Sequence, residues 1–366
     1  MKPTSSAQKG QVEVQFNWIF VLIVGAIILT FFVTIAARQK GASEQQIRID
    51  FMINFEKALG GISAVEGKKL LFEVPNMNLR YDCTSSCDCA AYVGESRAKT
   101  QAFFSMGDKI IFSPNRLKGN FLMTASEDWS YPFKVTNFIY ITSPEVKYLI
   151  EDTPKGKIIM KNLPDNSMLY EQKEHKAFDK QLFNFSDEIK KITGNYKVKF
   201  VFLENNPITE NFIIPSDLQG LADTDVTAVK FDLLKPEKVI FYQKNGNEFK
   251  EIGKSYLFGT ATELGAIFAE DMNSYSCMMN KALKSYSMVS LVYAGKMELY
   301  STENLGIDSR CKINYVSSSI DSLNQLTDKF NFKLSMDTEA ETISKNADTI
   351  LKQNENAMED SCPHIY

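Results

Sequence analysis

The sequence predicts an α+β fold, a mixed α/β ectodomain with a helical C-terminal region, carried on a single N-terminal transmembrane helix. Three observations predict it. Residues 18–37 (WIFVLIVGAIILTFFVTIAA) are an uncharged run of about twenty residues, the length that crosses a bilayer core. Between residues 70 and 256, short apolar runs alternate with turn residues, which is the pattern of strands. From Thr260 onward the apolar residues return every three or four positions, the period of a helix.

Arg38 and Lys40 close the apolar run, and Gln15 and Asn17 open it. A cleaved secretory signal has a shorter apolar stretch, roughly 7–15 residues, ending in a small-residue site, so this run reads as a retained span. The chain therefore divides into a cytoplasmic leader (1–15), a transmembrane helix (16–37), a juxtamembrane helix (38–63), a mixed α/β region (64–256) and a helical, cysteine-bearing region (257–366). In the juxtamembrane segment Ile47, Phe51, Phe55 and Leu59 fall at helical spacing, with Gly60-Gly61 as the expected stop. Ile47, Ile49, Phe51, Ile53 and Phe55 also alternate like a strand. Helix is preferred because it would continue the membrane helix as a stalk.

Strands are expected at 70–74, 110–112, 121–124, 138–142 and 157–160, followed by a helix over 177–192 carrying Phe178, Leu182, Phe185, Ile189 and Ile192. Residues 197–203 (KVKFVFL) make the clearest strand, and 226–231 and 238–242 follow. Asn245-Gly246 supplies the positive φ of a tight hairpin turn, with 248–256 as the return strand. One long helical stripe then runs through Leu264, Phe268, Met272, Tyr275, Met279, Leu283, Tyr286, Val289 and Tyr293, leaving Cys277 on the opposite side, free to reach another element. Two more helices are expected, one on Val316, Ile320, Leu323, Thr327 and Phe330, the other on Ile343, Ala347, Ile350 and Leu351. No internal repeat or low-complexity linker separates the two regions, so one shared core is expected.

The formal net charge is −4, with 41 Lys and Arg against 45 Asp and Glu and no basic run, so the chain lacks the footprint of a nucleic-acid binder. Only two histidines occur, His175 and His364, which leaves little for imidazole-based catalysis or zinc binding. No nucleophile elbow, SxxK, HExxH or EF-hand pattern is found, so neither an enzyme nor a cofactor is expected. Asp223-Thr224-Asp225 has the spacing of a cation-binding pair but reads better as a polar turn before a strand. Gly253-Lys254-Ser255 lacks the earlier glycine of a phosphate loop and lies in a hairpin. The aromatic segment 128–133 (DWSYPF) either stacks on a partner or folds over a sheet edge, the second being preferred. Asn184-Phe185-Ser186 is a candidate glycosylation site.

Six cysteines form two groups, Cys83, Cys87 and Cys89, then Cys277, Cys311 and Cys362. An even count in a chain translocated across a membrane points to disulfides. If all six pair, three and three force at least one bridge between the groups. Cys87 and Cys89 are too close to favour each other, so a local bridge uses Cys83 with one of them. Within the second group Cys277–Cys362 is expected, with Cys311 competing for either. A metal site at Cys83, Cys87 and Cys89 is the alternative, but it lacks a nearby fourth donor.

Ahead of the span, Gln8-Lys9-Gly10-Gln11-Val12-Glu13 followed by Val14-Gln15-Phe16 resembles the class III signal peptide of archaeal prepilins and archaellins. The likeness covers about the first forty residues, a span-sized segment with its leader. It implies cleavage between Gly10 and Gln11 by a prepilin-type peptidase on the cytoplasmic side. It implies too that the apolar helix is kept, as an anchor in the lipid bilayer or in a filament core with other surface or filament subunits. The family usually carries Glu at the fifth mature position, where this chain has Gln15, with Glu13 at the third. Flanking charges nearly balance across the span, so the resemblance and the cysteines orient the chain, with the N-terminus cytoplasmic and the bulk extracytoplasmic. The expectation is a single-pass, pilin-like component of an archaeal-type cell envelope with a structural or interaction role. The alternative is a membrane-tethered ligand-binding or enzymatic ectodomain.

Overall fold

The computed structural model describes residues 9–65, 67–75, 78–94, 97, 102–163, 179–184, 196–203, 212–302, 310–315 and 318–366. The chain divides into two compact units, Met1–Met52 and Ile53–Tyr366. Helix α1 spans Lys9–Ser63. In the first unit its apolar side chains are bare on every side: Trp18, Phe20, Leu22, Ile27, Leu29 and Phe32 are each more than half exposed. The hydroxyls within this run are satisfied internally. Thr30 donates to Ala26 O and Thr34 to Thr30 O, both at 2.7 Å, which is what a polar side chain needs where no water is at hand.

In the second unit the end of α1 buries Phe55, Leu59 and Ile62, with Phe55 edge-on to Phe72 at 5.4 Å and to Phe104 at 6.1 Å. The helical expectation for 38–63 holds over the strand alternative. The expected stop at Gly60-Gly61 does not hold, because the helix continues to Ser63. Burial of Leu59 and Ile62 outweighs the roughly 1 kcal/mol helix cost of each glycine.

The second unit is a mixed α/β structure. In chain order the strands are β1 (Lys69–Glu73), β2 (Leu79–Cys83), β3 (Cys89–Val93), β4 (Phe103–Ser105), β5 (Ile111–Phe112), β6 (Arg116–Leu117), β7 (Phe121–Ser130), β8 (Lys134–Thr142) and β9 (Val146–Glu151). Helix α2 (Pro154–Asn162) precedes β10 (Asp179–Phe183), β11 (Lys197–Phe202), β12 (Val226–Asp232), β13 (Lys238–Asn245) and β14 (Glu248–Tyr256). Helices α3 (Thr260–Phe268), α4 (Met272–Ser301), α5 (Ser318–Lys329) and α6 (Asp337–Glu359) complete it.

Among the described residues these strands form three sheets, ordered β1-β7-β8-β5, β4-β3-β2-β6 and β10-β9-β11-β12-β13-β14. In the largest, β10, β9, β11 and β12 are parallel, and β13 and β14 are added antiparallel. The Asn245-Gly246 turn joins the last two as expected, with Gly246 at φ +66°.

The largest sheet is covered on both faces, so its central strands carry no solvent-facing alternation. One face holds an aromatic cluster of Phe183, Phe200, Phe202, Phe212 and Phe249. The other carries α3 and the start of α4, with Tyr148 against Phe268 at 5.5 Å and Phe241 against Tyr275 at 5.6 Å. The same two helices also meet the first sheet, Tyr140 stacking on Phe268 at 5.3 Å and Phe112 lying 5.8 Å from Tyr275. Helix α3 is therefore buried from Ala261 to Phe268, the all-round burial of a helix between two layers.

Three further expectations, all of secondary structure, are corrected. Residues 157–160 are helical, inside α2, and not a strand. The Thr153 side chain accepts from Gly156 N at 2.9 Å and Pro154 fills the first turn, so a cap and a proline start the helix where a short apolar run suggested β. A Cβ at Gly156 would collide with the Glu151 carbonyl, which lets α2 leave β9 so sharply. The helix expected over 177–192 is strand β10 where it is described. Asp179–Phe183 pairs parallel with β9, and Lys180 Nζ donates to Met160 O and Leu163 O at the end of α2. Residues 185–195 lie outside the described residues. The long helix from Thr260 is two, because Ala269 is extended and Asp271 opens α4 with a reciprocal cap to Ser274.

All six cysteines are paired, as Cys83–Cys89, Cys87–Cys277 and Cys311–Cys362. The first is the local bridge and the second joins the groups. The Cys277–Cys362 bridge is not formed: Cys277 sits on the first half of α4, facing the β2–β3 loop, while Cys311 closes on Cys362. Around that last bridge, Tyr315 OH donates to Pro363 O at 2.6 Å and Lys296 Nζ to Ile365 O at 2.9 Å, seating the end of the chain.

Candidate functional site

Strand β11 reads KVKFVF, and alternation puts Val198, Phe200 and Phe202 into the aromatic cluster. Lys197 and Lys199 are thereby turned beneath the α3–α4 junction, where they are 2% and 4% exposed. Burying an ammonium is costly unless it is matched, and both are matched.

Lys197 Nζ donates to both carboxylate oxygens of Glu270 at 2.7 Å, to Asn115 Oδ1 at 3.1 Å and to Thr224 O at 3.3 Å. Glu270 also accepts from Asn115 N at 3.0 Å. Asp225 receives Arg116 Nη2 at 2.8 and 2.6 Å and lies 3.7 Å from Lys197 Nζ. Two cations and two carboxylates thus neutralise one another. Lys199 Nζ donates to Ala269 O at 2.6 Å and Glu270 O at 3.3 Å, the carbonyls that follow α3, where the helix dipole favours a cation. Burial pulls the Lys199 pKa down to about 8, against a raising influence from Glu270.

Above this cluster lies a cavity of about 160 Å³. Its apolar wall includes Met106, Ile111, Phe112 and Met278, and its polar wall Asp82, Asn115, Glu270 and Asn273. Tyr81 also lines it; its hydroxyl is buried with no hydrogen-bond partner among the described residues, and burial pushes that phenol well up. Arg80, Tyr92 and Arg116 line an adjoining hollow. Cluster and cavity sit at the amino ends of β11 and β12. Open parallel sheets hold their ligands at the carboxyl ends. There Glu151 accepts the Leu203 backbone N–H.

The residues singled out in the sequence fall as follows. Asp223 and Asp225 occupy a short 3₁₀ turn before β12, but their carboxylates part company: Asp225 goes to Arg116, and Asp223 lies 3.3 Å from Lys244 Nζ. Gly253-Lys254-Ser255 lies within β14, with Ser255 buried. The 128–133 segment forms the β7–β8 hairpin end. Trp129 is 1% exposed, donates to Phe258 O at 2.8 Å and stacks on Phe138, so these aromatics belong to the core. Asn184 is exposed just after β10, while the rest of its sequon and His175 lie outside the described residues. Gly10 and Gln11 lie in the first turns of α1. Lys197, Lys199, Asn115, Arg116 and Glu270 were not singled out. The available signal was two lysines alternating with aromatics in an otherwise apolar strand, which is a partial one, since it does not name their partners. Compared with protein-family models, curated proteins and solved structures, the chain has no significant match in any of the three.

Two predictions follow from the cluster. Lys197→Met should cost about 3–5 kcal/mol of unfolding free energy, because it strands the Glu270 carboxylate, whereas Lys197→Met/Glu270→Leu should cost clearly less than the sum of the two single changes. Denaturant unfolding of the full chain in micelles measures this, and additive losses would refute the coupling. The Lys199 pKa is lowered on folding, so above about pH 8 the unfolded chain holds the extra proton and stability rises with pH until about 10.4. Between pH 8 and 9.5 the wild type should gain on the order of 1 kcal/mol relative to Lys199→Met. Parallel pH dependence in the two proteins would contradict the assignment.

Proposed function

We propose that the chain is a membrane-anchored, extracytoplasmic surface protein with a structural or interaction role, processed and held like a pilin subunit of an archaeal-type envelope. The observation that carries this reading is the bare apolar half of α1, a helix long and apolar enough to cross a membrane. Three disulfides using every cysteine favour an oxidising, extracytoplasmic compartment. The resemblance of the leader around Gly10 and Gln11 to class III signals supports retention of the helix over its removal. An interaction role is supported by the second half of α4, where Met288, Leu291, Val292 and Leu299 are each more than half exposed along one side.

Intact-mass measurement and N-terminal sequencing of native protein, taken from carbonate-washed membranes and from sheared surface material, test the reading. The expected first residue is Gln11, in protein that resists carbonate. Release of the whole chain by carbonate would remove the anchor, a start beyond Ala37 would make the helix a cleaved signal, and absence from sheared material would leave an anchored monomer instead of a filament subunit.

A second reading, a tethered ligand-binding ectodomain, is favoured by the cavity and the unpaired Tyr81 hydroxyl. The two separate on Tyr81→Phe. With no resident ligand, removing an unpaired buried hydroxyl should leave stability unchanged or raise it by about 1 kcal/mol. A loss of that size in protein purified from its native membrane would favour the ligand.

A further inference from the structure

The bridges Cys83–Cys89 and Cys87–Cys277 abut. The sulfurs of Cys83, Cys89 and Cys277 all lie within 4.8 Å of one another, and Cys87 Sγ is bonded to Cys277 Sγ. We propose that these four cysteines are the ligands of a zinc site that forms when both bridges are reduced, so that one cluster alternates between two disulfides and a tetrathiolate metal centre. The same cysteines also favour the oxidising compartment of the proposed function, and the metal centre is the state they reach where a thiol reductant is present.

The geometry supports four donors. A tetrahedral Zn–S distance near 2.3 Å places sulfurs about 3.8 Å apart, so on reduction the bonded pairs, at 2.03 and 2.04 Å, must part by about 1.7 Å, while Cys83, Cys89 and Cys277 already lie within 4.8 Å of one another. Cys277 is the fourth donor that the Cys83, Cys87, Cys89 spacing lacks, brought in from 190 residues beyond Cys87 by the first half of α4. The hairpin that carries three of the four cysteines has backbone hydrogen bonds of its own. Cys83 and Cys89 are directly opposed in the β2–β3 pairing, Thr84 N donates to Asp88 O and Cys87 N to Thr84 O, and Asp88 N donates to Thr84 Oγ1. Cys87 sits at φ +61°, which turns the chain back over the hairpin. Cys89 and Cys277 are buried and Cys83 and Cys87 partly so, which leaves the cluster at the edge of the core. Lys281 lies one helical turn beyond Cys277 with its Nζ donating to Gly107 O, and Asp88, between the loop cysteines, is paired with Arg97.

The chemistry balances with an external thiol reductant. Each bridge accepts two electrons and two protons from two thiols, which leave joined as a disulfide. The four resulting thiols then bind one Zn²⁺ and release four protons. Reoxidation reverses both steps and expels the metal.

The test uses the full chain in detergent micelles, reduced anaerobically with a trialkylphosphine, given Zn²⁺ and freed of excess. About one zinc per chain is expected, with Cys83, Cys87, Cys89 and Cys277 shielded from alkylation while Cys311 and Cys362 react. The Cys311→Ser/Cys362→Ser protein should keep the metal, and Cys277→Ser should lose roughly tenfold or more in zinc affinity. Reduced wild type that holds no zinc, alkylates equally at all six cysteines, or whose zinc affinity is unchanged by Cys277→Ser would overturn the proposal. The alkylation pattern of the wild type decides even where a variant fails to fold.

Discussion

The second unit is organised around the anchoring of the α3–α4 junction on strand β11. Two sheets and two helices meet there, and the junction leaves Ala269 and Glu270 carbonyls without helical partners in a dry interior. Lys199 takes those carbonyls and Lys197 takes the Glu270 side chain. An unmatched charge at this depth would cost several kcal/mol, so each lysine is tied to the junction and the junction to the strand. Asn115 and Arg116 extend the same network to the loop around β6, which brings the β2–β3 sheet against the same edge.

The covalent links fasten the parts that surround this network. Cys87–Cys277 joins the β2–β3 hairpin to α4 just past the junction, and Cys311–Cys362 fastens the segment before α5 to the end of the chain. In the loop-entropy picture, bridges that close loops this long each remove roughly 4–5 kcal/mol of unfolded-chain freedom when unstrained. Between them, the largest sheet and the helices above it are held by packing, with no cystine in the aromatic cluster.

The polar interior is a network of matched charges. Lys197, Glu270, Arg116 and Asp225 are neutralised by one another at 2.6–3.7 Å, so their hydrogen-bonding capacity goes into holding the fold. Among the described residues, large apolar side chains are exposed along the first half of α1 and on the outer side of the second half of α4.

The sequence by itself determined whatever depends on neighbours along the chain. The uncharged run at 18–37, the Asn245-Gly246 hairpin, the β11 strand and the helical periods of α4 and α6 were all legible, because span length, turn stereochemistry and side-chain period are local. The tertiary structure decided the rest. Whether Asp179–Phe183 became helix or strand depended on an open edge at β9. The break at Ala269 answered to lysines about seventy residues away. The Cys277 partner was set by how α4 passes the β2–β3 loop. The charge cluster was invisible for the same reason: Lys197, Asn115, Asp225 and Glu270 are far apart in sequence, and only burial, which desolvates each unless it finds the others, makes them one group.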